Sequence, residues 1–226
     1  MDEERIIEIL ASVEYFSRLD RSALDLVRMA TQHCSCMQGE CVFQESDPCI
    51  GLYIVIRGWA RAVKISAAGR EQVIRFVGPG DVFNEIGVLT GGVNVVTVEA
   101  LEPLELLIVE REVLLGLVNQ HPSLAKALIE NLANRVLYAM SMVVDLSLHT
   151  VESRLARFLL DQAVDQQINR HKWATQAVIA ARIGTVPVVI NRAFRTFVEN
   201  NLIDLSPEEI IILDRLELER IALLNP

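Results

Sequence analysis

The hydrophobic period of this chain changes twice, and the two changes limit what it can fold into. From about residue 40 to 110 the apolar residues come in short β-rich runs, CVF, LYIVI, WARAVKI, QVIRFV, VVTVEA and ELLIVE, each closed by a turn signal. Runs of that length and spacing predict a small antiparallel roll or barrel. Gly58, Gly69 and Gly80 recur at intervals of 11 residues, and glycine enters the positive φ of a tight turn at no steric cost. After Arg111 the period becomes helical and stays so to about Leu148, with Pro122 suited to the first turn of a long helix. Ahead of the β runs, Ile6, Ile7 and Leu10, then Leu24, Val27 and Ala30 with Asp20 before them, predict a small helical segment within residues 1 to 30.

On the long helix Leu128, Leu132, Val136, Ala139, Val143 and Leu146 are spaced by 4, 4, 3, 4 and 3. That makes one apolar stripe on a helix of about 40 Å, at about 1.5 Å per residue, and predicts a dimer seam. The adjacent Leu137, Met140 and Val144 form a second apolar face suited to covering the roll. From His149, placed at the hinge after the long helix, come a helix (RLARFLLDQA), a polar break near Asn169 to His171, two short helices, and IDLSPEEIIILD. The last reads as a β-hairpin turning at Ser206 and Pro207, a small wing. The expected division is residues 1–120 for helical segment and roll, 121–148 for the long helix, and 149–226 for the tail.

Within the tail, TQAVIAARIGTVPVVINRAFRTFVENNLI has the spacing of a helix-turn-helix: Ala180, then Gly184 four positions later, then Ile190 six positions after the glycine. The motif needs a small side chain where two helices cross, a glycine for the bend and an apolar anchor under the second helix. Thr175 is expected to cap the first helix and Thr185 the second, with Pro187 near its start.

The net charge of −9 argues against indiscriminate nucleic-acid binding, which needs clustered cations to release counterions from phosphates. It is unevenly spread: residues 1–150 hold 12 Lys and Arg against 20 Asp and Glu, and residues 151–226 hold 9 against 10. A nucleic-acid site is therefore expected in the near-neutral tail. The acidic MDEERIIEIL start and the lack of an 18-residue apolar run predict a cytoplasmic protein with no membrane partner. In a reducing compartment four cysteines argue against a disulfide framework. Cys34, Cys36, Cys41 and Cys49, with His33 and Met37 nearby, have the chemistry for a metal, a haem ligand or a thiol switch, and equally for small buried apolar residues. No Ser/His/Asp or Cys/His arrangement falls in a motif and no phosphate-cradling glycine loop is present, so nothing supports an enzyme.

GLYIVIRG (51–58), AGREQVIRFVGPGDVFNEIG (68–87), the long helix after HPSLAKALIENLANR, RLARFLL (154–160) and the tail AARIGT…INRAF…NLIDL…IIILDRLELERIA together resemble the cyclic-AMP receptor protein and fumarate-nitrate regulator (CRP/FNR) family of bacterial transcription regulators. The resemblance implies an α+β fold: an N-terminal antiparallel β-roll of the cyclic-nucleotide-binding, jelly-roll type, a long dimerisation helix and a C-terminal winged helix-turn-helix. It also implies a homodimer that binds double-stranded DNA and works with RNA polymerase, with an effector held in the roll against the long helix. The corresponding effector pocket is Phe83, Glu85, Ile86, Val95, Val96, Ala139 and Met140.

The departures are specific. Members that bind a cyclic nucleotide carry Phe-Gly-Glu and then, within about a dozen residues, an Arg-Ser-Ala that grips the phosphate. Here the first part is Phe83-Asn84-Glu85-Ile86-Gly87, and residues 88–99 contain no Arg or Lys. A buried phosphate without a cation is strongly disfavoured, and Ala139 and Met140 offer the purine no hydroxyl, so cyclic AMP is not expected to be the effector. VNVVTV, read as an apolar strand, leaves a pocket that either holds a flat apolar ligand such as haem or is filled by its own side chains. The iron–sulfur (Fe–S) regulators of the family carry three cysteines ahead of the roll and one much further on, a pattern only partly matched here.

On the DNA side, members that read guanine place an Arg and often a Glu where this chain has Pro187 and Val188, which cannot make bidentate contact with a base. The expected DNA-binding residues are Thr175, Gln176, Thr185, Val188, Val189, Asn191, Arg192 and Arg195. The valines are suited to thymine methyls, Arg192 to a base or phosphate, and Arg195 to a phosphate or an internal ion pair. The function read from these residues is an effector- or redox-responsive homodimeric DNA-binding transcription regulator. The competing reading is a ligand-binding or protein-interaction module that keeps the fold without sequence-specific DNA binding.

Overall fold

A computed structural model describes residues 2–169 and 174–223. The chain divides into two compact units, Met1–Ser66 with Ile74–Val136, and Ala67–Val73 with Leu137–Pro226.

In the first unit α1 (Glu3–Ser12) and α2 (Arg21–Met29) precede eight strands: β1 (Thr31–Cys36), β2 (Cys41–Phe43), β3 (Gly51–Arg57), β4 (Ala60–Ile65), β5 (Glu71–Val77), β6 (Val82–Phe83), β7 (Thr97–Ala100) and β8 (Leu104–Glu110). A short α3 (Glu85–Thr90) interrupts them, and α4 (Arg111–Gln120) and α5 (Pro122–Leu148) follow, α5 passing into the second unit after Val136. The strands form two four-stranded sheets, ordered β1-β8-β3-β6 and β2-β7-β4-β5.

Successive side chains on a strand face opposite ways, and here both faces of two strands are buried. Tyr53 and Val55 of β3 and Leu104, Leu106 and Ile108 of β8 join Phe43, Ala62, Val77 and Val98 inside the roll. Leu52 and Ile54, with Leu107 and Val109, face the other way into a core built with Leu10, Phe16, Val27, Leu114, Leu117, Leu124 and Leu128 from the helical segments. That is why LYIVI and ELLIVE read as continuous apolar runs rather than as alternating ones. Asp20 caps α2 by accepting from the Ala23 amide (2.8 Å).

All six β runs form strands, but VVTVEA only in part: β7 starts at Thr97, so Val95 and Val96 lie in the preceding loop. β1 and β6 are additional strands. Gly58, Gly69 and Gly80 all have positive φ (84°, 74° and 85°); at Gly58 a Cβ would lie 2.3 Å from the Pro103 carbonyl oxygen, so no other residue fits that turn.

In the second unit α6 (Val151–Gln162), α7 (Gln176–Arg182), α8 (Pro187–Glu199) and α9 (Arg215–Ala222) accompany a small sheet of β9 (Gln167–Asn169), β10 (Ile203–Leu205) and β11 (Glu209–Ile212), in the order β10-β11-β9. Leu155, Leu159, Ile190, Phe194, Phe197, Ile203, Ile212 and Leu218 form its core. β10 and β11 make the hairpin expected around Ser206 and Pro207. The polar break expected near Asn169 to His171 begins on the last residue of β9, and Arg170 and His171 lie outside the described residues. Among the described residues no single helix is long and apolar enough to cross a membrane.

Candidate effector site and nucleic-acid interface

At the first candidate site the chain turns from β6 into α3 through Asn84, a non-glycine residue with φ +76°. Its side chain does not cap the helix. The buried Asn84 amide donates to Asn94 Oδ1 (2.9 Å), the Gly51 carbonyl (3.1 Å) and Cys49 Sγ (3.3 Å), and Asn94 Nδ2 donates onward to the Gln44 carbonyl (3.3 Å). The segment from 84 to 94 is thereby pinned across its base. Phe83 is a core residue rather than a pocket wall: it stacks on Tyr53 (ring centroids 5.1 Å) and lies 6.0 Å from Phe43. Val96 packs against the same core and Val95 is half-buried, while Ile86 is exposed. Ala139 and Met140 sit on the second half of α5, exposed.

Glu85 is 1% exposed. Its Oε1 accepts from the Tyr15 hydroxyl (2.9 Å) and pairs with Arg135 of α5, whose guanidinium also donates to the Val82 carbonyl (3.0 Å) and to Asn131 Oδ1 (2.8 Å). Burial raises the Glu85 carboxyl above the usual carboxylate range, opposed by Arg135, the Tyr15 hydrogen bond and Arg75; burial and Glu85 together raise the Tyr15 phenol. Arg135 was not among the residues expected from the sequence. It stands 50 positions from Glu85, and no local spacing links them.

Cys34, Cys36 and Cys41 lie near one another, and Cys49 stands apart from them. Cys34 and Cys36, two apart on β1 and so on one face, are half-buried against the roll core, and Cys41 at the start of β2 is exposed. Burial and the neighbouring Cys34 push the Cys36 thiol up to about 11; burial, Glu99 and Asp47 raise Cys41. Cys49 is buried beside Asn84, and burial raises its thiol too. Among the described residues no three His, Cys, Asp or Glu side chains are gathered to hold a metal ion.

In the second unit α7 and α8 meet at 101°, within the range of a helix-turn-helix. Thr175 caps α7, its side chain accepting from the Val178 amide (3.3 Å); Gln176 follows, half-buried. Thr185 does not cap α8. Pro187 takes the first helical position, so Val186, extended at φ −111° and ψ 155°, is the cap residue and offers no side-chain acceptor; a residue before proline is biased to that conformation. Gly184 makes the bend at φ +71°. Ile190, Ala193, Phe194 and Phe197 bury one face of α8, leaving Val188, Asn191, Arg192 and Arg195 exposed. Val189, one step from Ile190 around the helix, is half-buried.

With this geometry in view, the comparisons with known proteins are specific. Residues 34–121 match the cyclic nucleotide-binding domain and residues 153–221 the Crp-like helix-turn-helix domain. The chain is 30% identical over 190 residues to the cyclic AMP receptor protein of Thermus thermophilus, covering 82% of this chain and 85% of that one. The chain belongs to the CRP/FNR family.

A second CRP/FNR relative, the CRP-like cAMP-activated global transcriptional regulator of Mycobacterium tuberculosis, is 26% identical over 223 residues, covering 95% of this chain and 99% of that one. The structure of FixK2 from Bradyrhizobium japonicum shares the CRP/FNR fold with a TM-score of 0.76 at 23% identity, covering 84% of this chain and 96% of that one. As a CRP/FNR protein the chain is a DNA-binding transcription regulator and not an enzyme.

Replacing Arg135 with Met should test the site directly. The buried Glu85 carboxylate, facing Tyr15, Arg75 and Arg135, would lose its ion-pair partner, costing about 3 kcal/mol near pH 7.5. A carboxyl raised in the folded state loses stability as pH rises above its unfolded value and regains it as pH falls. The deficit of Arg135→Met relative to wild type, read by urea unfolding, should therefore shrink between pH 7.5 and pH 5; a deficit independent of pH would contradict this placement.

Proposed function

We propose that the protein is a homodimeric regulator that reads A·T-rich half-sites through α8 and whose roll does not take a cyclic nucleotide. The observation that carries the second part is the closure at Glu85 and Asn84. Where a cyclic phosphate would need a cation, residues 88–99 supply none. Arg135 is already committed to Glu85, Asn84 is bonded to Asn94, and the aromatic cluster of Phe43, Tyr53 and Phe83 fills the roll. The same filling argues against haem. Among the described residues no three of the cysteines are placed to hold a metal together, which argues against an Fe–S cluster, and the raised thiols of Cys36, Cys41 and Cys49 leave little thiolate at those positions for a redox switch. That two relatives carry cyclic AMP in their names is a property of those proteins.

We take the functional segments as 1–120, 121–148 and 149–226. For the dimer, Val136 (59% exposed), Val143 (64%) and Leu146 (43%) present apolar surface along α5, with Ala139 exposed and Leu132 half-buried between them. Leu137, Met140 and Val144 beside them are exposed as well, and so much aligned apolar surface on one helix marks an interaction site. Leu128 is not part of the seam, since it is buried in the core of its own protomer. Val143→Asp would set a charge in the seam and should yield monomers of about the 25.3 kDa chain mass in light scattering, where wild type shows twice that; an unchanged dimer would exclude this seam.

For DNA, Val188 is 72% exposed at the start of α8, suited to thymine methyls in the major groove. Arg192 and Arg195 lie further along the same open face. The wing turn carries Glu208 and Glu209 and brings no cation to the phosphates, so affinity rests on α8, in the cytoplasm and at promoters where RNA polymerase is the further partner. Selection from a random duplex pool should enrich A·T-rich half-sites with wild type. Arg192→Ala should lose about 1 to 3 kcal/mol on the enriched sequence. Enrichment of a G·C-rich palindrome would contradict the valine reading.

A further inference from the structure

The carbonyls at the C-terminus of a helix have no partner within it, and at the end of α7 they are met from outside the motif. Arg154 of α6 donates through Nη1 to the Ile183 carbonyl (2.5 Å) and the Gly184 carbonyl (3.4 Å). The preceding carbonyl, that of Arg182, accepts from Gln72 Nε2 (3.2 Å). Gln72 lies at the start of β5, in the segment Ala67–Val73 that belongs to the second unit. A Cβ on Gly184 would meet Leu146 Cδ2 at 2.3 Å, Gln72 Oε1 at 3.0 Å and Arg154 Nη1 at 3.2 Å. The Arg182 guanidinium lies 5.3 Å over the Tyr138 ring. Three consecutive carbonyls of the turn, 182 to 184, are thus bound by side chains from the start of β5 and from α6.

We propose that Gln72 is a positioning residue for DNA reading: its hydrogen bond to the Arg182 carbonyl helps to fix the turn between α7 and α8, and so the direction in which Val188 and Arg192 are presented. The inference rests on α8 as the reading helix. The open face of α8 carries none of the anchoring contacts, so the anchored turn leaves Val188, Asn191, Arg192 and Arg195 exposed. Gln72 is half-buried and outside the hydrophobic core of the unit, so removing its amide changes the turn without opening that core. The residues before it, Ala67 to Glu71, are exposed, whereas Gln72 is half-buried against the turn.

The test compares wild type, Gln72→Ala and Gln72→Arg, the last keeping a long donor at the position. DNA affinity is read by fluorescence anisotropy on the duplex that wild type selects and on a scrambled duplex. Amide hydrogen exchange is followed without DNA. The expected result is about a fivefold weaker affinity of Gln72→Ala for the selected duplex, the scale of one lost neutral hydrogen bond, with the scrambled duplex unchanged, the unfolding temperature lowered by no more than about a few degrees, and near wild-type behaviour for Gln72→Arg. Without DNA, the amides of Ile183 and Thr185, which bond to Ile179 and Ala180 across the turn, should exchange faster in Gln72→Ala alone. Equal affinity of wild type and Gln72→Ala, or an equal loss on both duplexes, overturns the proposal. So does unchanged exchange at the turn, or faster exchange spread over the whole unit. If wild type itself fails to tell the two duplexes apart, it is the reading helix that fails, and the exchange result alone decides the role of Gln72.

Discussion

A carboxylate cannot be taken out of water without a cation or several donors to hold it, and that constraint organises the first unit around Glu85. The three elements that meet there are distant in sequence: Tyr15 follows α1, Glu85 opens α3, and Arg135 lies on α5. With one oxygen of Glu85 shared by a phenol and a guanidinium, the N-terminal helical segment, the roll and the first half of α5 share a single polar anchor. The surroundings are apolar, with Phe16, Val88, Leu124 and Leu128 in the adjoining core, so the pair is worth more as a fixture of position than as a source of net stability.

The same arrangement bears on what a CRP/FNR roll can respond to. A cyclic phosphate needs a free cation and a loop able to close on it. Here the cation comes from α5 and is already paired, and the loop is closed by an amide pair between Asn84 and Asn94. Asn84 has the positive φ that glycine adopts most readily, and its side chain spends all its donor capacity on Cys49, Gly51 and Asn94. In the second unit the turn of the helix-turn-helix is likewise held by side chains, Arg154 and Gln72, while Arg192 and Arg195 stay exposed on α8.

How much of this was legible in the sequence follows from the range of each interaction. The β runs, the long helix and the helix-turn-helix spacing are local periodicities, and each formed the element expected of it. β1 (TQHCSC) was missed because an edge strand has little apolar alternation to show. β6 and β9, of two and three residues, are too short to carry a period. Thr185 looked like a cap because threonine is a good one, but Pro187 at the first helical position places the cap at Val186. Val189 was grouped with Val188 by composition; on the helix it shares a face with the buried Ala193 four positions on, and it is half-buried where Val188 is exposed. The partners Arg135, Asn94, Gln72 and Arg154 are joined to their sites through the fold, across 10 to 110 positions, where no spacing rule reaches.

The most direct test of the closed roll is the affinity of the purified protein for its selected duplex, measured with and without millimolar cyclic AMP and cyclic GMP. If Arg135 and the Asn84–Asn94 pair close the site as described, affinity is unchanged by either nucleotide. A rise of about fivefold or more, the lower end of an allosteric coupling, would show that the roll opens to a cyclic nucleotide and would contradict the account.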